Sequence, residues 1–81
     1  MVLLTLHTHD KEPFYINLNA LCTIVPLENN PKCRAAITLM IGDSESVVAT
    51  VESCDEILSK IAEAKQQMIN SHSGEGIWII S

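Results

Sequence analysis

A helix with a marked start and one apolar face constrains this chain more than any other stretch, because such a helix must have a surface to cover. Ser53-Cys54-Asp55-Glu56 has capping-box spacing, in which Ser53 accepts from the Glu56 amide while Glu56 reaches back. Asp55 and Glu56 also place negative charge in the first turn, where the helix dipole favours it. At 100° per residue, Cys54, Ile57, Leu58, Ile61, Ala62, Ala64, Met68 and Ile69 fill one arc, and polar residues fill the other as far as Asn70. Lys65 alone breaks the division, and its methylene stem can lie on apolar surface. Ile61, near the middle of the arc, is expected to be the central core contact.

The rest of the chain reads as the sheet that this helix covers. Val2 to Thr8 alternates, with Val2, Leu4 and Leu6 on one face. His9-Asp10-Lys11-Glu12 is a polar turn, and Pro13 opens a second strand through Phe14, Ile16 and Leu18, with a corner at Asn17-Leu18-Asn19. Leu21 to Val25 gives a third strand ended by Pro26. A loop with a turn signal at Asn29-Asn30-Pro31 leads to a fourth, Ala35 to Ile41. After Gly42-Asp43-Ser44-Glu45, a fifth strand runs from Ser46 to Val51. The expectation is an α+β fold: an antiparallel five-stranded meander, curled or small and barrel-like, then one helix and an extra C-terminal strand. Residues 1–70 form the domain, 71–76 a Gly- and Ser-rich flexible linker, and 77–81 an apolar strand.

Charge and cysteine usage limit the function classes. The 81 residues carry a net charge of −5, with Lys11, Lys32, Arg34, Lys60 and Lys65 scattered along the chain. Nucleic-acid binding needs clustered cations, so no nucleic-acid partner is expected. No apolar run reaches membrane-spanning length, so no membrane insertion is expected either. Cys22, Cys33 and Cys54 are an odd set with unequal spacing and no recognisable leader precedes them, which points to a reducing, cytoplasmic setting.

Phe14-Tyr15-Ile16-Asn17, Ile24, Ile37-Thr38-Leu39 followed by Gly42, Val48, and Val51-Glu52-Ser53 before Glu56-Ile57 and Ile61 together resemble a known group. They are similar to the small flagellar-operon proteins of the FlbD/SwrD type and to similar short bacterial and phage proteins of unknown function. The resemblance covers roughly residues 2–62. It implies a non-enzymatic accessory protein, motility-linked, with no catalytic residues to carry over.

The candidate sites are few. His7 and His9 lie two apart and would share a strand face, the arrangement of a metal pair. No spaced set of further ligands accompanies them, and the plain reading is two polar residues where a strand runs into its turn. Ser71-His72-Ser73 lacks the fixed geometry a nucleophile needs. Asp43, Glu45, Glu52, Asp55 and Glu56 are accounted for mostly by turn chemistry and capping. No catalytic motif, metal site or cofactor follows from these residues.

Surplus apolar surface is the more telling signal. Leu3, Cys22, Ile24, Met40, Val48 and Tyr15 fall on the sheet face opposite the main core set. The helical arc spans about 160°, against the ~100° stripe that one contact requires. Ile77-Trp78-Ile79-Ile80 is costly to leave in water at about 25 cal/mol per Å². It is expected to pair with a sheet edge, with exchange onto another subunit preferred over pairing in cis. Leu3, Ile24, Met40, Val48, Ile69, Ile77, Trp78, Ile79 and Ile80 are therefore the candidate interface of a homo-oligomer that also contacts protein partners. The sequence reads as a small accessory or adaptor protein; the alternative is a ligand- or metal-binding regulator using His7 and His9.

Overall fold

The computed structural model describes residues 1–70 and 78–81. Helix α1 (Cys54–Asn70) follows directly on its capping residue, Ser53. The Ser53 hydroxyl accepts from the Glu56 amide at 3.2 Å, and the Ser53 carbonyl accepts from the Ile57 amide at 3.0 Å. The Glu56 carboxylate faces Arg34 at 3.5 Å instead of reaching back. The docked stripe is narrower than the arc read from sequence. Ile57 and Ala64 are fully buried, and Cys54 and Ile61 pack partly against the core. Leu58 is 55% exposed, and Ala62 is exposed with it. Ile57, not Ile61, is therefore the centre of the contact, because positions 57, 61 and 64 follow one seam and 58 and 62 lie on its flank.

The α+β class holds, but the single five-stranded meander does not. Strand β1 (Val2–His7) pairs antiparallel with β2 (Pro13–Asn17), setting Leu4 beside Ile16 and Leu6 beside Phe14. The chain then leaves the sheet. The Asn17 side chain accepts from the Asn19 amide at 2.9 Å, and Leu18–Ala20 make one 3₁₀ turn closed by the Leu21 amide on the Leu18 carbonyl. Strand β3 (Leu21–Pro26) starts a second sheet with β4 (Ala35–Ile41) and β5 (Ser44–Thr50), in the order β3-β4-β5.

The free side of β1 is filled by β6 (Trp78–Ile80), which runs parallel to it and sets Ile80 beside Leu4. The first sheet is thus β2-β1-β6. The C-terminal strand pairs in cis and completes its own sheet, where exchange onto another subunit was the preferred expectation. Parallel pairing needs a long crossover, and α1 lies between β1 and β6 in the chain to provide one. Residues 71–76 and Ile77 lie outside the described residues, as do the side chains of Ile69 and Trp78.

One core joins the two sheets and the helix. Val2, Leu4, Leu6, Ile16 and Ile80 come from the first sheet, Ala35, Ile37 and Leu39 from the second, and Ile57 and Ala64 from α1. The β4–β5 hairpin turns on two residues, with Gly42 at φ +62° in the first central position, as a II′-type turn requires. That shorter turn starts β5 at Ser44 and sets its register: Val48 lies opposite Ile37 and Val47 opposite Thr38. Val48 consequently packs partly against the core, as does Ile24, which lies opposite Ile37 from β3; both correct their placement on the opposite face.

Thermal melts should rank three helix variants. Ile57→Ala loses about 2–5 kcal/mol, as expected for a buried aliphatic truncation. Ile61→Ala loses less, and Leu58→Ala stays within about 0.5 kcal/mol. Truncation before β6 should lower the melting temperature, because it uncovers the flank of Leu4, without requiring any change of oligomeric state.

Candidate functional site

The chemistry-bearing residues that the fold brings together are His7, at the end of β1, and Thr50 and Glu52, at the exit of β5. Glu52 is only 6% exposed and Thr50 is fully buried. The Glu52 carboxylate accepts from the His7 backbone amide at 2.8 Å and from the His7 ring at 2.7 Å through Nδ1. It also makes a short contact with the Thr50 hydroxyl. The His7 carbonyl accepts from the Val51 amide at 3.0 Å and lies 3.0 Å from the same hydroxyl. Thr50 has a single hydroxyl hydrogen, so it donates to one of these two oxygens at a time.

Electrostatics follows from those donors. Burial alone would raise the Glu52 pKa, but hydrogen bonds from Thr50 and from the ring and backbone of His7 outweigh it and hold the carboxyl below its usual 4.5. An ionised Glu52 only accepts, so the proton in the ring contact sits on His7 Nδ1. The Thr50 hydroxyl faces a carbonyl and a carboxylate and makes no hydrogen bond with the imidazole. The three residues are therefore not arranged as a nucleophile with its base. Their geometry fastens two chain segments together.

The two histidines sit in different settings. His7 ends β1 with Nδ1 engaged by Glu52, whereas His9 lies in the exposed turn beyond, 3.4 Å from Asp10. Among the described residues no three His, Cys, Asp or Glu side chains gather as metal ligands.

The apolar candidates divide between two outer faces. Leu3 lies on the outer face of the first sheet, opposite Asn17 and Ile79, and Tyr15 and Ile79 are both 55% exposed there. Met40 is exposed on the outer face of the second sheet, opposite Glu45. Ile80 faces the core. Cys22 is exposed beside the irregularity between Leu21 and Thr23.

Sequence reasoning missed Val47, the most exposed large apolar residue described, at 70%. It lies midway along β5, and β5 is an outer strand of its sheet. The signal was available in Gly42-Asp43: read as a two-residue turn, it puts Val47 and Val48 on opposite faces with Val48 inward.

No protein-family model, curated protein or solved structure matches the chain. Among the described residues no helix is long and apolar enough to cross a membrane.

The Glu52 assignment predicts a pH dependence. A carboxyl with a depressed folded-state pKa adds stability above its unfolded value, and that stability is lost as pH falls below about 4.5 toward the folded pKa. Carbon-detected NMR should find the Glu52 titration below the ordinary glutamate range, and Thr50→Val should move it upward. Glu52→Gln should cost about 1–3 kcal/mol at neutral pH and flatten the acid limb of the stability curve.

Proposed function

We propose that the protein is a small, non-catalytic accessory or adaptor protein that works in the cytoplasm through self-association and protein–protein contacts. The observation that carries this reading is Val47, 70% exposed at the middle of an outer strand. Such strands offer unpaired backbone NH and CO groups, and isolated proteins usually blunt them with proline, lysine or a bulge. Strand β5, with the sequence Ser-Glu-Ser-Val-Val-Ala-Thr, carries neither proline nor lysine and has Glu45 as its one charge.

The sequence of β5 also suits pairing with its own copy. A two-fold axis at Val47 sets Val47 against Val47 of the copy, Glu45 against Ala49 and Ser44 against Thr50. No like charges oppose one another in that register. Two three-stranded sheets would then become one sheet of six, with exposed Val25 and Met40 extending the apolar outer face. The three cysteines are free thiols, which suits a reducing compartment. The resemblance to the FlbD/SwrD type adds a motility-linked setting to this reading.

Light scattering tests it directly. The wild-type chain should give the mass of a dimer, and Val47→Lys, which sets two ammonium groups against each other at the axis, should give a monomer. The melting temperature extrapolated to low concentration should hardly differ, since exposed substitutions stay within about 0.5 kcal/mol. A monomeric wild type at high concentration, or a dimer that tolerates Val47→Lys, would overturn this reading.

A further inference from the structure

Three of the five Lys and Arg side chains of this acidic protein line a single depression. Lys11, Lys32 and Arg34 border it together with His9, in an open hollow of about 470 Å³ where the buried Cys33 and the half-buried Val51 also lie. Among the described residues no carboxylate lines it. Two acids stand at its margin: Asp10, 3.4 Å from His9, and Glu56, 3.5 Å from Arg34. Both separations exceed the ~2.7–2.9 Å of a well-formed charge-assisted hydrogen bond, so neither acid holds its partner tightly.

Two turns place the cations. The Lys11 amide donates to the Thr8 carbonyl at 2.8 Å, and Lys11 has φ +65°, which side-chain-bearing residues rarely adopt. Across the hollow the Asn30 side chain accepts from the amides of Lys32 and Cys33 at 2.9 and 3.0 Å. Leu27 closes that loop by donating to the Arg34 carbonyl at 2.9 Å. The backbones under Lys11, Lys32 and Arg34 are therefore fixed before any ligand arrives.

We infer that this depression binds a phosphorylated small molecule. Arg34 supplies a planar fork for phosphate oxygens, Lys11 and Lys32 supply point charges beside it, and His9 adds a further donor. The hollow is in the ligand-sized range of roughly 300–1,000 Å³ and exceeds what one phosphate needs. Pro31 and Val51 offer apolar wall to the remainder of the ligand. This inference is independent of β5, so a monomeric Val47→Lys variant should bind as the wild type does.

The test is an amide-shift titration of the full chain with pyrophosphate, beside inorganic phosphate and citrate. Saturable shifts should centre on Lys11, Lys32, Cys33 and Arg34, with pyrophosphate binding tightest and added salt weakening it. Lys11→Gly relieves the positive φ and so keeps the fold while removing one charge. It and Arg34→Ala should each weaken pyrophosphate binding roughly two- to fivefold, the worth of one exposed ion pair, and Lys60→Ala should change nothing. Unsaturated shifts, equal losses with Lys60→Ala, or citrate binding as tightly as pyrophosphate would each overturn the assignment.

Discussion

The carboxylate of Glu52 is the point on which the two halves of this fold meet. It is buried where the chain leaves β5 for α1, and the His7 backbone, the His7 ring and the Thr50 hydroxyl converge on it. The His7 carbonyl in turn accepts from Val51, and the Thr50 carbonyl accepts from Arg34 at 2.9 Å. The end of the first sheet's central strand is thereby stitched to the exit of the second sheet. A buried carboxylate is costly unless its acceptors are filled. Satisfied here by donors from both segments, it penalises any arrangement that separates them.

The position of the helix follows from the same clasp. Ser53 comes immediately after Glu52, so fixing Glu52 against His7 fixes the cap and the first turn of α1. Ile57 then enters the core between residues of both sheets. A domain of this size has little spare stability, so a polar clasp and one narrow helical seam must act together. Because the sheets and helix face inward on a single core, the outer sheet faces and the edge at β5 are left as surface. That surface and the basic hollow beside the clasp are what the fold presents to other molecules.

What was legible in the sequence was mostly local. The Ser53 cap, the helix from Cys54 to Asn70 and the placement of the strands depend on neighbours within a few residues. The partition into two sheets does not: it turns on Asn17 closing a 3₁₀ turn after β2, which sends β3 away instead of back alongside. Asn17-Leu18-Asn19 was readable as a corner, but its direction was not. The parallel pairing of β6 depends on an edge of β1 more than seventy residues earlier in the chain. Glu52 was hidden among acids that capping seemed to explain, while its partner His7 lies 45 positions away. Lys11, Lys32 and Arg34 look scattered along the sequence, and only two separate turns gather them.

Amide hydrogen exchange measures the clasp where it acts. His7 is the last residue of its strand, and a strand end normally frays and exchanges fast. With its amide donating to the buried Glu52 carboxylate and its carbonyl accepting from Val51, the amides of His7 and Val51 should exchange as slowly as those of core residues such as Leu4 and Ile37. In Glu52→Ala their protection should fall ahead of the rest of the core. Fast exchange at His7 in the wild type, or protection that survives Glu52→Ala unchanged, would contradict the central role given to this carboxylate.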